Sequence, residues 1–155
     1  MTVEYGDLAG LDFAAVSPEE FARIVKSAPG RQIKEFMRGP DRARVLDEVF
    51  GRFETRFRPT AADGVKALVR WRVTGADGAE PDVYETDIAG GACTLAKGAT
   101  DRRPRLTLTL AETEFLKLVS GNASGPVLFM TRKLKVEGDI GLAAGLTKYF
   151  DIPKA

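Results

Sequence analysis

The last third of the chain, from Arg105 onward, constrains the fold more than any other segment. Leucine and threonine alternate over residues 106–110, which is the period-two pattern of a strand with one buried face. A helical pattern follows over residues 112–119, and Pro126 then opens a short helix that is apolar nearly all round. A second alternating strand and an apolar C-terminal helix complete the segment. This order predicts a wall of apolar surface around a slot and no cluster of catalytic side chains.

Length, charge and cysteine usage narrow the class of protein. A chain of 155 residues is expected to form one domain around one core. Its formal net charge is +1, so no overall field attracts nucleic acid, and we expect no nucleic-acid partner. A single cysteine, Cys93, excludes an intrachain disulfide and is typical of a cytoplasmic protein. No apolar run approaches the roughly 18 residues that a transmembrane segment needs.

Candidates for catalysis are few. The sequence has no histidine, which removes the commonest general base and a usual metal ligand. Glu85 and Asp87 share one face of a strand, so paired acid–base work is geometrically allowed, but a solvated strand face is the favoured interpretation. Cys93 would need a lysine or a helix end to activate it. We therefore expect no enzyme, no catalytic residue, no metal site and no cofactor.

The residues up to about Arg58 carry a helical pattern. Ser17 is a suitable cap, Pro18 suits the first helical position and Glu20 completes a capping box, so a helix is predicted to begin here. A second helix is predicted over residues 41–57, with Asp41 as its cap. Its apolar stripe consists of Val45, Leu46, Val49, Phe50, Phe53 and Phe57.

Alternating segments predict the strands of one sheet. They cover residues 65–74, 82–88, 92–97, 105–110 and 133–137. Turn-linked successive strands of this kind favour an antiparallel meander with one face covered. The predicted fold class is therefore α+β: an α/β sandwich with a sheet of about five mainly antiparallel strands covered by helices.

The last two helices are apolar over a wider arc than one-sided packing needs. They also carry small residues, at Gly141, Ala143, Ala144 and Gly145, which leave space instead of filling it. Two interpretations stay open from the pattern: both helices pack in a dense core, or the C-terminal helix closes an internal apolar pocket.

Short blocks in chain order carry a family resemblance. They are residues 84–88, 91–94, 106–110, 115–121, 128–131 and 133–139. Residues 115–121 fit F-x-x-L-x-x-G, and the last block fits the end of G-K-[LI]-x-[VI]-x-G-[DN]. In this order the blocks resemble the sterol-carrier-protein-2 family of lipid-binding domains. Arg132 stands where glycine is commoner in that family, and Ala111 takes a cap position where serine or aspartate suits better.

This resemblance implies a sheet covered by helices, with a hydrophobic tunnel between the two layers. It also implies a non-catalytic carrier of sterols, fatty acids or fatty acyl-CoA. Removing an acyl chain from water contributes about 0.8 kcal/mol per buried CH₂, so a dry slot can bind lipids without specific polar contacts. Residues 41–155 would form the lipid-binding domain. Residues 1–40 resemble the N-terminal helical extension of some bacterial members.

The resemblance and the apolar pattern together nominate lipid-lining residues. Phe129 and Met130 are the leading candidates, because they lie in the short helix and methionine adapts to varied ligand shapes. Trp71 has a second interpretation as a central core aromatic whose N–H needs a partner. The full set of candidates is Trp71, Val73, Phe115, Val119, Leu128, Phe129, Met130, Leu142, Leu146 and Phe150.

A second hypothesis is a non-catalytic interaction or accessory module with a collapsed pocket. In that case the N-terminal helices would make a homodimer. The stripe of Ile33, Phe36 and Met37 would supply the exposed apolar patch. A carrier should bind acyl lipids, whereas an interaction module should only self-associate.

Overall fold

The computed structural model of the protein describes residues 18–27, 33, 37, 42–75 and 80–150. Within these ranges, one sheet contains the strands β1 (Ala67–Thr74), β2 (Asp82–Ala89), β3 (Ala92–Lys97), β4 (Leu106–Ala111) and β5 (Leu134–Gly138). The helices are α1 (Pro18–Ser27), α2 (Arg42–Arg56), α3 (Glu112–Val119), α4 (Gly125–Met130) and α5 (Ile140–Gly145), followed by a 3-10 turn at Leu146–Tyr149. The α+β class and the five-stranded sheet predicted from the sequence are confirmed.

The strand order is β3-β2-β1-β4-β5, and the sheet is mixed. Neighbouring strands run antiparallel except at the centre, where β1 and β4 are parallel. A mainly antiparallel sheet is therefore confirmed, but a complete meander is wrong. Only β1, β2 and β3 form a meander, after which the chain crosses back and places β4 against the other edge of β1.

The crossover between β3 and β4 lies on the polar face of the sheet, where Arg70 and Glu85 hold it. Arg70 Nη2 donates to the backbone carbonyls of Thr100 and Arg102, each at 3.1 Å. Glu85 accepts from Thr100 Oγ1 at 2.6 Å and from Arg70 Nε at 2.8 Å. Arg102 pairs with Asp87 at 2.6 Å. The crossover covers Glu85, which is only 1% exposed, so the solvated face expected for this residue is wrong.

The pKa of Glu85 follows from these contacts. Burial alone would raise the pKa of the carboxyl. Hydrogen bonds from Thr100 and Arg70, together with the charge of Arg70, outweigh burial and hold the pKa below its ordinary value. The ionised form of Glu85 is therefore the form that stabilises the folded chain near neutral pH.

The opposite face of the sheet is apolar and is covered by helices. The registers Trp71↔Tyr84 and Trp71↔Leu108 put these side chains in one row across β2, β1 and β4. Phe50 of α2 stacks on Tyr84 with ring centroids 4.0 Å apart and on Phe115 of α3 at 4.8 Å. Such rings bury large apolar areas, so α2 and α3 are held to the sheet chiefly by aromatic packing.

The helix predictions agree with the structure within the described residues. The second helix spans 42–56 and buries Val45, Leu46, Val49, Phe50 and Phe53 as one stripe. The first helix begins at Pro18. Ser17 and Asp41, the predicted caps, lie outside the described residues, as does Phe36.

The exposed N-terminal patch of the second hypothesis is wrong at two of its three positions. Ile33 is 2% exposed and Met37 is 0% exposed, and both belong to the same hydrophobic cluster as the sheet. In addition, Asn122 Nδ2, after α3, donates to the carbonyl of Ala22 in α1 at 2.9 Å. Ile33 and Met37 therefore bury surface against the rest of the protein. The division of the chain at residue 40 stays a prediction.

Arg42, the first residue of α2, joins that helix to β1, β2 and α3. Its Nε donates to Asp82 Oδ2 at 2.6 Å, and its Nη1 pairs with the buried carboxylate of Glu112. Nη2 donates to the Val73 carbonyl at 3.3 Å. These carboxylates keep the Arg42 guanidinium charged against the cost of burial and raise its pKa. A Cβ at Gly75 would lie 2.7 Å from Glu112 Oε2, so this cluster leaves no room for a side chain there.

We expect Gly75→Ala to destabilise the protein by about 1–2 kcal/mol, because the new methyl group pushes Glu112 and Arg42 out of their ion-pair geometry. Gly51→Ala is the matched control. Gly51 lies inside α2 with no atom within 4 Å of the added Cβ, so this change should stabilise by about 0.5–1 kcal/mol. Urea unfolding at pH 7 measures both values. Equal stability of the two variants would contradict the steric explanation.

We expect Glu85→Gln to cost about 2 kcal/mol at pH 7, through loss of charge-assisted hydrogen bonds. The variant should also change the pH dependence of stability. Because the folded-state pKa of Glu85 is lowered, its contribution is present above the unfolded pKa of about 4.3 and is lost as the pH falls through the folded value. Wild-type protein should therefore lose more unfolding free energy than Glu85→Gln between about pH 5 and pH 3. If the unfolding free energies of the two proteins changed in parallel with pH, the ionisation of Glu85 would contribute nothing to the pH dependence of stability.

Candidate functional site

The half of the sheet formed by β4 and β5 differs from the other half in what covers it. Here the short helices α4 and α5 contact β5 and each other, and both α3 and α5 contact β4. On the sheet below them, Leu108 and Leu134 are buried and Val136 is half-buried. The apolar wall predicted from the last third of the chain is therefore present, and short helices cover it.

Helix α4 begins and ends on local hydrogen bonds. The Ser124 hydroxyl caps the helix by accepting from the Val127 N–H at 3.3 Å, and Pro126 lies in the first turn. At the other end, the N–H groups of Arg132 and Lys133 donate to carbonyls of the helix at 3.1 and 2.8 Å. This closure requires a left-handed backbone at Arg132, with φ of 63°.

Only one side of α4 faces the protein. Leu128 is 4% exposed, whereas Phe129 is 46% and Met130 is 81% exposed. Successive side chains of an α-helix point about 100° apart. In this helix of six residues, Leu128 occupies the inward direction. In this conformation Phe129 and Met130 face solvent, although the sequence makes them leading candidates for an internal wall.

Asp139 and Arg105 fix the start of α5. Asp139 Oδ1 accepts from the Leu142 N–H at 2.9 Å, and Asp139 Oδ2 lies 2.9 Å from Arg105 Nη2. The hydrogen bond from Leu142 and the pairing with Arg105 lower the pKa of the Asp139 carboxyl. Leu142 and Leu146 are then buried on the inner side, while Ile140 is exposed on the outer side.

Small residues leave space along α5. A Cβ at Gly145 would make only an ordinary contact, 3.7 Å from the Tyr149 hydroxyl. Ala143 is half-buried and packs against the hydrophobic cluster, whereas Ala144 on the next position is exposed. Half-buried Ala143 and Gly145 thus flank the two buried leucines.

The other candidate residues fall into two groups. Trp71, Phe115 and Phe150 belong to the aromatic cluster under α2, and Trp71 Nε1 donates to Thr86 Oγ1 at 3.1 Å. That hydrogen bond is the partner expected of a core tryptophan. Val73 is also buried, and Val119 is half-buried beside the core. The aromatic candidates therefore lie beneath α2, within the same hydrophobic cluster as Leu128, Leu142 and Leu146.

A surface depression of about 530 Å³ lies at the C-terminal end of α2. Its described lining residues are Thr55, Arg56, Phe57 and Arg58. Phe57 pairs with Phe150 in a short antiparallel bridge, and the Arg58 N–H donates to the Tyr149 carbonyl at 2.6 Å. The sequence pattern assigned Phe57 to the helix stripe and did not indicate this depression.

None of the helices in the described ranges is long and apolar enough to cross a membrane. Groups of three or more histidine, cysteine or acidic side chains placed to hold a metal ion are also absent from that part of the chain.

The fold and the apolar cover over β4 and β5 define a class: α+β domains with helices on the apolar face of a five-stranded sheet. The chain matches the SCP-2 sterol transfer family over residues 49–151, and it belongs to that family. The resemblance noted in the sequence is therefore confirmed.

Individual relatives are distant. Hydroxysteroid dehydrogenase-like protein 2 of Mus musculus is 28% identical over 106 residues, which are 64% of this chain and 21% of the mouse protein. Sterol carrier protein 2 of Gallus gallus is 25% identical over 101 residues, 63% of this chain and 18% of the chicken protein. Palmitated SCP2L2 from Aedes aegypti has a similar fold, with a TM-score of 0.54, 17% identity and coverage of 72% of this chain and 95% of the mosquito domain. This chain thus spans about a fifth of the curated relatives named here.

We expect Cys93 to be unreactive in the folded protein. Burial, with a smaller contribution from nearby carboxylates, raises the pKa of its thiol to about 12, so the thiolate is scarce at pH 8. Reaction with a chromogenic disulfide reagent should be at least about a hundredfold slower in buffer than in denaturant. Rapid reaction in buffer would show an accessible thiolate and would reopen a nucleophilic role for Cys93.

Proposed function

We propose that the chain is a non-catalytic lipid-binding carrier domain that takes sterols, fatty acids or fatty acyl-CoA against the apolar wall of β4 and β5. The observation that supports this proposal is the kind of helix that covers that wall. The helices are short, α5 carries small side chains, and α4 exposes apolar side chains. Helices that only pack against a dense core have no need to combine exposed apolar residues with small side chains.

The energy of binding would come from burial of the lipid chain. Each methylene removed from water contributes about 0.8 kcal/mol, so several methylenes between α5 and the sheet suffice for binding without specific polar contacts. Leu128, Leu142 and Leu146 would contact the chain directly. Phe129 and Met130 would stand at the mouth, and the aromatic candidates Trp71, Phe115 and Phe150 would form the far wall. The hydrophobic tunnel itself stays a prediction.

The relatives support this proposal at the level of the family. The Aedes aegypti domain of similar fold has been determined in its palmitated form. Several curated relatives are much longer than this chain, and one is the peroxisomal multifunctional enzyme A of Dictyostelium discoideum. In such proteins the matched segment is one part of a larger chain. We propose that this chain performs only the binding function, as a cytoplasmic protein.

The rival proposal, an interaction module that dimerises through its N-terminal segment, has lost its main support. Ile33 and Met37 are buried against the protein and offer no apolar surface to a partner. Self-association through other surfaces stays open to measurement by light scattering.

Displacement of a fluorescent fatty acid tests the carrier proposal directly. Saturable one-to-one binding, displaced by fatty acid, acyl-CoA or sterol, would support the proposal, and the order of displacement would name the ligand class. Absence of binding at tens of micromolar would overturn it. The same titration provides the readout for the variants below.

We expect Ala143→Phe to weaken fatty-acid binding about tenfold, because a ring on the inner side of α5 takes space equivalent to about two methylenes of ligand. Ala144→Phe, on the exposed side of the same helix, should bind as wild type does. Thermal unfolding provides the check on folding. If Ala143→Phe lowers the melting temperature strongly, the position is ordinary core and the assignment of this wall is wrong.

A further inference from the structure

Strand β3 forms an outer edge of the sheet, since β2 is its one neighbour among the strands of the described ranges. Its register with β2 runs without a bulge from Ala92 to Lys97, and Lys97 is its only charged residue. Proteins commonly protect such edges with charges, bulges or proline, because the unpaired backbone groups can bind another strand. The other edge strand, β5, has this protection: it exposes Lys135 and Glu137, and α4 and α5 contact it. The edge of β3 is therefore the one suited to pairing.

The direction of the backbone groups along β3 follows from its hairpin with β2. The Gly98 N–H donates to the Val83 carbonyl at 2.7 Å, so these two residues form a hydrogen-bonded pair. Hydrogen-bonded pairs alternate along an antiparallel ladder, so Thr94 and Ala96 also direct their N–H and C=O groups towards β2. The residues that direct these groups away from β2 are Cys93, Leu95 and Lys97. Each of the three can bond to a further strand without breaking the pairing with β2.

Opposite charges lie at the two ends of β3. Lys97 Nζ lies 3.1 Å from Asp47 Oδ1 of α2, and α2 contacts β3 along its length. Glu54 follows Asp47 by about two turns of α2, or about 10 Å along the helix. Cys93 precedes Lys97 by about 13 Å along the strand. Burial and then the Glu54 carboxylate raise the pKa of the Cys93 thiol, which agrees with Glu54 lying over that end of the strand. Glu54 is exposed, and no cation of the described residues pairs with it.

We propose that two copies of the chain pair antiparallel through β3 and form one continuous sheet of ten strands, five from each copy. In this register Leu95 lies on the two-fold axis, opposite the partner's Leu95, and Cys93 lies opposite the partner's Lys97. All three outward-facing residues are then paired, and with two bonds per pair the dimer gains six hydrogen bonds. A register centred on Thr94 would pair two of them and give four. The axis at Leu95 therefore satisfies the most backbone groups.

The charges around β3 favour a second copy over an unrelated strand. The proposed register brings the partner's Lys97 beside Cys93 and beneath Glu54, and two-fold symmetry repeats this contact on the other side of the axis. An isologous interface requires a surface that is complementary to itself, and a carboxylate over one end of the strand with an ammonium at the other meets that requirement. Leu95, which is half-buried, would be covered by the partner's Leu95.

The proposed dimer is independent of the proposed lipid site. Strands β2 and β1 separate β3 from β4 in the sheet. Both copies would therefore keep the apolar wall of β4 and β5 accessible, and the proposal does not rest on the carrier function.

Sedimentation equilibrium and amide exchange on the full chain test this proposal. The mass should rise from one chain towards two between about 10 and 500 µM. The Leu95 and Lys97 amides should become protected as the dimer forms, while Thr94 and Ala96 should stay protected throughout. A single-chain mass at every concentration would overturn the proposal. So would protection of Leu95 that does not depend on concentration, because another segment of the same chain would then cover β3.

Glu54→Lys tests the charge complementarity. The variant places a cation beside the partner's Lys97 at both ends of the interface, so dimerisation at low salt should weaken about tenfold. Its melting temperature in dilute protein should match the wild type, because Glu54 is exposed. Glu137→Lys is the control: it makes the same change of charge on β5 and should leave dimerisation unchanged. Unchanged dimerisation by Glu54→Lys, or equal weakening by Glu137→Lys, would contradict the proposal.

Leu95→Cys tests the register. Residues of a hydrogen-bonded antiparallel pair have Cα atoms about 5.5 Å apart, a separation that a disulfide can span. Mild oxidation should therefore link two Leu95→Cys chains. Thr94→Cys is the matched control, since its side chain lies on the other face of the sheet and opposite the partner's Ala96. Wild-type protein, in which Cys93 is buried, should also stay unlinked. Linkage of Thr94→Cys in preference to Leu95→Cys, or of neither variant, would contradict the proposed pairing.

Discussion

The parallel pairing of β4 with β1 is the constraint on which the remaining architecture depends. It requires the chain to return from the β3 edge across two strands. Arg70 and Glu85 hold the returning segment through the Thr100 and Arg102 contacts on the polar face. Because the crossover occupies that face, α3, α4 and α5 pack with α2 on the apolar face.

The two halves of the apolar face differ in the side chains and helices that cover them. Beneath α2, stacked aromatic rings fill the space between helix and sheet, and Trp71 has its hydrogen-bond partner. Over β4 and β5, the cover includes α3 and two short helices, one and a half turns at α4 and a similarly short α5. Long helices with large side chains pack rigidly, whereas short helices with small side chains can separate from the sheet at lower cost. The proposed lipid site lies in this second half.

Much of the fold could be predicted, because its signals are local. Alternation located the strands, and the stripe from Val45 to Phe53 located α2 within a residue of its ends. The family blocks indicated the order of elements and the class of ligand. The site was predicted less completely. An apolar hexapeptide does not specify which of its faces is inward, so Phe129 and Met130 could not be distinguished from Leu128 before the helix was seen against β5.

The sequence by itself determined the secondary structure, the apolar face of each strand and membership of a lipid-binding family, since these depend on periodicity and on short motifs. Only the tertiary structure decided that β4 lies parallel to β1, that Glu85 is buried in an ion pair, that Ile33 and Met37 are core residues and that Phe129 and Met130 face outward. The physical reason is common to all four. Each depends on which distant segment covers a residue, and residues separated by 15 to 40 positions carry no periodic signal of their contact.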